Sequence, residues 1–517
     1  MKRKILLSLV ALSTIFCVGC KKENNNSKYD SHVMIDITHA TNNAKVITPD
    51  KVKLADTYYS LHEKQYYNTQ VIPSTGKVKI LVIPMLMPGY TTIDINADGN
   101  DDKLQVREDL QKAFFAKESE TYESVSSFYK KSSFNKLHLS GYVTEWYDVG
   151  ANSEYTNASQ IDYYDTYSVV QEAVEWVKDT QNIDIADYDS DMDGYIDGVF
   201  CIYSCPNYTN GGPHTDYGNY WAYTAWGNQT EDGGQAPSIE NPVYNLYGWA
   251  SYDFMYEEYG FKKIDARTYI HEMGHFLGLN DYYSDHSSYN PVGKVDMMDA
   301  NIIDHNSYSK MLLGWTKPYV VTGNAKIDLQ TMCNENSLIV IPSDSTVIEN
   351  NTFDPFSEYI LIELYTNDGL NYQDSKTQYG NTPLAMSSKG VRIYHIDNRK
   401  FVIDETDIFN PTCKEYVYGD LLSDSNIVLP ITNYRSSDVY NTYFNLDVKY
   451  NLYDEIRLIE ATNVDTFSNG GKQTSKTLFK ENDVFTLEKY GPKFFVNNNL
   501  FNNGDTFTYQ VKIGEVK

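Results

Sequence analysis

Residues 271–281 read His-Glu-Met-Gly-His-Phe-Leu-Gly-Leu-Asn-Asp, inside the longer run DARTYIHEMGHFLGLNDYYSD. His271 and His275 are four apart, so on a helix both imidazoles project from one face toward a single metal ion. Glu272 stands one step round the helix, near enough to touch a water at the metal without taking a coordination position. Gly278 can adopt the left-handed conformation that ends a helix, after which the chain turns back and presents Asp281. Two histidines and one carboxylate make a catalytic zinc ligand set. In such a set the ion polarises a carbonyl and acidifies water, while the neighbouring carboxylate moves the proton to the leaving amine. The HExxH pattern alone describes equally well a helix with surface histidines, so its neighbours matter.

The next cue downstream is VDMMDA, residues 295–300, where Met298 is a candidate apolar floor beneath the metal, or else core filler, with Met297 beside it. Tyr308 offers a hydroxyl that could stabilise an oxyanion, and equally could pack ahead of Leu312 and Leu313. His305 follows the methionine pair in a loop, and His395 lies on the apolar run GVRIYHID, where a hydrogen-bonded core or surface histidine is expected.

Upstream, DYDSDMDGYIDG places Asp189, Asp191, Asp193, Gly194 and Asp197 at positions one, three, five, six and nine of a calcium loop. The Tyr195 carbonyl is a further candidate oxygen ligand, and Phe200 stands where a bidentate glutamate would close an EF-hand. The expectation is a structural calcium clip, against the alternative of an acidic turn without an ion. DINADGNDD repeats the opening with Asp94, Asn96, Asp98 and Gly99, either as a weaker site or as a solvated loop.

The start of the chain, MKRKILLSLVALSTIFCVGCKKENNN, has a basic head, an apolar run too short to span a bilayer, and Val-Gly-Cys at its end. That ending resembles the lipobox of bacterial lipoproteins, which implies cleavage after residue 19 and a lipidated Cys20; plain secretion with Cys20 unmodified is the alternative. Of six cysteines, Cys201, Cys205, Cys333 and Cys413 then remain, and sequence leaves their pairing open. The net charge of −27 repels phosphate backbones, so no nucleic-acid partner is expected.

The 517-residue chain exceeds one ordinary core. Residues 20–35 read as the lipidated cysteine with a polar tether, and 36–76 as a short N-terminal segment. VKILVIPMLM reads as a buried strand, 105–131 as helical, LHLSGYVTEWY as a strand, SVVQEAVEWV as a helix and GVFCIYS as a strand. This alternation predicts an α/β (α+β) catalytic domain over 77–318. After Pro318 come SLIVIP, EYILIELY, GVRIYHID, EIRLIEA and TFTYQVKI, predicting a β-rich domain of sandwich type over 319–517.

Taken together, HEMGHFLGLNDYY, VDMMD, SYSKMLLGW, KVKILVIPM, SVSSFYKKSSFNKLHLSGYVTEWY and DYDSDMDGYIDG resemble the immune inhibitor A family of secreted bacterial metallopeptidases. The resemblance implies a metzincin-like fold and a zinc-dependent endopeptidase acting on extracellular proteins or peptides, with structural calcium. It points to His271, His275 and Asp281 as zinc ligands and Glu272 as the base. The rival from another class is a non-catalytic binding or adhesion lipoprotein built on a peptidase fold. Loss of Glu272 or of a histidine would favour it, and all are present.

Overall fold

The computed structural model describes residues 28–39, 46–52, 70–119, 121–215, 218–227, 236–284, 288–342, 358–398, 400–404, 416–417, 426–430, 433, 454–494 and 509–517. Residues 1–19, read from the sequence as a cleaved leader, and Cys20 and Cys413 lie outside the described residues.

The strand Gly76–Leu86 sits inside the first sheet of the chain, between Leu137–Val143 and Val199–Tyr203. Its continuous apolar run is explained by burial on both faces. Val78, Ile80 and Val82 enter a cluster with helices Lys103–Phe115 and Val125–Ser132. Leu81, Ile83 and Met85 enter a second cluster with helix Thr166–Thr180, which buries Val169, Val170, Ala173, Val174 and Val177 along one stripe. Parallel neighbours are Leu137–Val143 and Val199–Tyr203, and Val199–Tyr203 pairs in turn with parallel Leu246–Ser251. The antiparallel strand Tyr223–Trp226 ends the sheet order on one side. A mixed α/β layer results, as the alternation of the sequence predicts.

Among the described residues the later strands enter three further sheets, of which the smallest joins Tyr416–Val417, Lys400–Asp404 and Asn426–Pro430. One has the order Ile456–Ile459, Gly390–Asp397, Glu358–Tyr365, Leu338–Pro342, Tyr319–Val321, Val46–Ile47. Its side chains alternate between two apolar clusters. Ile339, Ile341, Ile360, Ile362 and Ile393 join one that also holds Val33, Ile35, Leu329, Val511 and Ile513 of the second, four-stranded sheet. Leu338, Val340, Tyr359, Leu361 and Tyr394 face the other way, into the cluster that contains Ile270, Met273, Phe276 and Met298. The six-stranded sheet is therefore a wall common to both halves of the chain, and no gap between cores falls at residue 318.

The N-terminal assignments also need correction. A polar tether through residue 35, followed by a separate segment, is replaced by strand His32–His39, which pairs with Ala325–Gln330 on one side and Tyr509–Val516 on the other. Its alternating Val33, Ile35 and Ile37 are buried, and that apolar face draws the strand into the sheet. Cys201, Cys205 and Cys333 are free, buried thiols, with burial raising the pKa of each. Cys201 and Cys205 pack as small hydrophobes, while the Cys333 thiol also donates to Asp368 O at 3.4 Å.

Because one cluster spans both halves, unfolding is expected to be cooperative across residue 318. Leu361→Ala, far from 271–281 in sequence, should lower stability by about 2–5 kcal/mol. Urea denaturation should show one transition by tryptophan fluorescence and circular dichroism, shifted to lower urea in the variant. Two separate transitions, only one of them shifted, would show independent cores.

Candidate metal centre

The helix Arg267–Phe276 carries His271, Glu272 and His275. It ends as the sequence predicts. Gly278 has φ +93°, its N–H donates to His275 O at 2.9 Å, and Leu279 N–H donates to Gly274 O at 3.0 Å. These two bonds form a Schellman cap, satisfying helix-end carbonyls while reversing the chain. Asp281 returns to the imidazoles, with its Oδ1 3.0 Å from His271 Nε2 and 3.3 Å from His275 Nε2.

The far side of each ring is fixed by a carbonyl, which can only accept. His271 Nδ1–H donates to Met297 O at 2.9 Å and His275 Nδ1–H to Leu279 O at 2.7 Å. Both Nε2 atoms are thus turned toward Asp281, and the three donor atoms lie within 4.8 Å of one another. This donor set, with its backing hydrogen bonds, fits a zinc ion in chemistry and orientation. Burial works against charge here, yet Asp281 outweighs it and pushes the His275 imidazole up to about 9, while His271 is also raised. Burial likewise opposes ionisation of Asp281, and the two histidines overcome it, holding the carboxyl well below the usual range. The cluster is built to hold positive charge at its centre.

Glu272 is buried beside this triad, and its Oε2 accepts from Thr224 Oγ1 at 3.1 Å on the edge strand. Burial raises its carboxyl above the ordinary glutamate range, the direction that suits a base exchanging protons near neutrality. Met298 is fully buried, in the single turn Met297–Ala300. That turn is tied down from three sides. Asp296 Oδ1 accepts from Met298 N–H at 3.0 Å, Tyr282 N–H donates to Met298 O at 2.8 Å, and Met297 O receives the His271 proton. Burial pushes the Asp296 carboxyl up to about 7.

Gly274 escaped the sequence reading. A Cβ at this position would collide with Met298 Sδ and lie 2.9 Å from Cε, so its lack of a side chain lets the thioether lie against the helix Arg267–Phe276. The signal was present in HEMGH, but only a partner distant in sequence gives it meaning.

Other candidates lie elsewhere. Tyr308 is fully buried, its hydroxyl 2.7 Å from Glu455 Oε1 and 2.6 Å from Asn398 Oδ1. Its proton is engaged by the buried Glu455 and the half-buried Asn398. His305 is enclosed by Phe128, Tyr129 and Trp315, and burial pushes its pKa well down, so it packs as a neutral ring. His395 Nε2 lies 2.8 Å from Glu358 Oε1.

Asp189, Asp191 and Asp193 bring their carboxylates together. Asp189 accepts from the N–H groups of Asp193 and Gly194 at 3.0 and 2.9 Å, and Asp193 accepts from Tyr195 N–H at 2.8 Å. Asp197 is buried and accepts from Ser190 N–H at 3.0 Å. Burial raises Asp191, Asp193 and Asp197, with like charge adding to it, pushing Asp193 up to about 6 and Asp197 up to about 7. The loop feeds directly into the strand whose Phe200 stacks on Phe276, the last residue of the helix that carries His271 and His275, at 4.5 Å between centroids. The Asp94–Gly99 loop has the same backbone bonds, with Gly99 N–H to Asp94 Oδ2 at 2.8 Å, but an exposed rim. There Asp98 is lowered by hydrogen bonds from Asn100, opposite to Asp193.

Gly274→Ala should displace Met298 and cost about 1–3 kcal/mol in overpacking, partly offset by about 1 kcal/mol of helix propensity. Adding Met298→Ala should then cost less than the same change in the parent chain, measured as non-additivity in a urea double-mutant cycle. Additive costs would deny the contact.

Comparison with known proteins agrees with this geometry. Residues 100–303 match the family model described as the immune inhibitor A peptidase M6, catalytic domain. Two curated relatives, each named pre-pro-metalloprotease PrtV, come from Vibrio cholerae serotype O1 strains M66-2 and ATCC 39315 / El Tor Inaba N16961. Each is 25% identical over 237 residues, covering 42% of this chain and 25% of the relative, so the chain spans about a quarter of their length. With its histidines, glutamate and aspartate gathered at one helix end, the chain carries at residues 100–303 a catalytic domain of the immune inhibitor A peptidase M6 family.

Proposed function

We propose that this chain is a zinc-dependent endopeptidase in which His271, His275 and Asp281 hold the metal and Glu272 is the general base. The observation that carries this reading is the convergence of both Nε2 atoms on Asp281 while each Nδ1–H is held by a backbone carbonyl. A bound zinc ion supplies Lewis acidity to the scissile carbonyl and to the attacking water. Glu272, oriented by Thr224, accepts the proton of that water and returns it to the departing amine nitrogen. Its burial keeps the carboxylate poorly solvated, which strengthens it as a proton acceptor.

Substrates are proteins or peptides. Tyr223–Trp226 ends the catalytic sheet beside Glu272, and an extended peptide backbone suits pairing along such an edge. We read Asp189, Asp191 and Asp193, with Asp197 and the Tyr195 carbonyl, as a structural calcium loop that stiffens the strand beneath Phe276. The six-stranded sheet with Glu358–Tyr365 and the four-stranded sheet, read as a sandwich through their common apolar cluster, form the rigid support of the site. No helix among the described residues is long and apolar enough to cross a membrane. Export, with attachment to the outer face of the bacterial membrane through a lipidated Cys20, rests on the leader sequence.

Glu272→Gln should bind one equivalent of zinc by metal analysis, keep its circular dichroism spectrum and lose cleavage of a denatured protein mixture by at least about a hundredfold. Undiminished cleavage would remove Glu272 from the chemistry, and metal-free protein would remove the zinc. Millimolar calcium should raise the melting temperature of the parent chain, whereas Asp191→Asn should melt at the same temperature with and without it. An equal calcium response in both would reject the loop as the binding site.

A further inference from the structure

The third ligand belongs to a short segment, Asn280-Asp281-Tyr282, in which each neighbour of the aspartate is held by a residue far away in sequence. Asn280 Nδ2 donates to Glu455 Oε2 at 2.9 Å. Glu455 Oε1 accepts from Tyr308 at 2.7 Å, and its own carbonyl accepts from Asp397 N–H at 2.9 Å, so the carboxylate is anchored at the end of the six-stranded sheet. On the other side, Asn433 Nδ2 lies 2.9 Å from both Tyr282 O and Ile456 O, while its Oδ1 accepts from Ile456 N–H at 3.2 Å. Tyr282 is held further by Met298 O, through its N–H, and by Ser309 Oγ at 2.8 Å from its hydroxyl. Glu455 and Asn433 are both buried.

From this arrangement we infer that Glu455 and Asn433 are positioning residues for the metal site, a latch by which the C-terminal sheet fixes where Asp281 sits. The Schellman cap at Gly278 reverses the chain but leaves the following residues free to swing, because it pairs nothing beyond Leu279. The latch removes that freedom before any ion arrives. A carboxylate held in place binds the ion without a further ordering cost, as hydrogen-bonded supports of metal ligands do. The catalytic unit then extends well beyond residue 303, where the family match ends. Tyr308 acquires a role as the donor that orients the Glu455 carboxylate, in place of an oxyanion contact.

This inference rests on Asp281 being a zinc ligand, and its test separates the two ideas. Zinc affinity of the full chain would be measured by competition with a chromophoric chelator, alongside urea midpoints. Asn280→Ala cuts the contact from its half-buried side and should weaken zinc binding about tenfold to a hundredfold with little change in midpoint. Glu455→Gln keeps an acceptor for Asn280 and should stay within about threefold of the parent, a conservative rescue. Asp281→Ala is the reference and should weaken zinc binding more than Asn280→Ala. Parent-like affinity in Asn280→Ala with weakened binding in Asp281→Ala would overturn the latch alone. Parent-like affinity in Asp281→Ala would instead overturn the ligand assignment, and the latch with it.

Discussion

Three electron-rich groups must be kept within 4.8 Å of one another in a largely buried site, and most of the surrounding architecture can be understood as meeting that demand. Unsupported, the Asp281 carboxylate would turn toward water and the imidazoles would change rotamer, since burying charge without partners costs several kcal/mol. The molecule answers with hydrogen bonds behind each donor: Met297 O and Leu279 O behind the histidines, and fixed neighbours on both sides of Asp281. Gly274 and Met298 press the turn that carries Met297 against the helix that carries the histidines. One packing contact therefore sets the distance across the site, and one cap sets the direction of return.

The parts of this design that are local in the chain were legible in the sequence. The spacing of His271 and His275, the glycine at 278 and the aspartate at 281 lie within eleven consecutive residues, and helix geometry alone connects them. The alternation of strands and helices through residue 203 could be read for the same reason. What stayed hidden depends on tertiary neighbours. Gly274 looks like an ordinary helical glycine until Met298 is beside it, and Glu455 is separated from Asn280 by 175 positions. Tyr308 suggested an oxyanion role because it follows the methionine turn, whereas the folded chain points its hydroxyl at Glu455. The strand His32–His39 shows its period in Val33, Ile35 and Ile37, but eight residues beside a polar run read more readily as tether.

Buried charge recurs at the junction between the halves. Arg267, in the first turn of the helix that carries His271 and His275, is paired with Asp374 at 2.6 Å and lies over the rings of Tyr122 and Tyr379. Asp374 also accepts from Ile303 N–H at 2.7 Å, just past the methionine turn, where Ile303 holds φ +60°. A β-branched residue in that conformation is strained, and the surrounding bonds keep it there. Such pairs contribute modestly to net stability after desolvation, and their directionality fixes which surfaces meet. Here they align the segment after the methionine turn with the start of the helix.

The six-stranded sheet, apolar on both faces, has a consequence for how a chain like this can change over generations. A sheet with one dry side can be exchanged for another module at a linker, but a sheet whose two sides close two different cores cannot be traded without opening both. Substitutions at Leu338, Val340, Tyr359 and Leu361 are answerable to the catalytic layer, and those at Ile339, Ile341, Ile360 and Ile362 to the outer sheet. Room for novelty lies instead on the solvent face of the four-stranded sheet, where Met34 and Lys326 are exposed. New binding properties can be acquired there while the metal site is inherited intact.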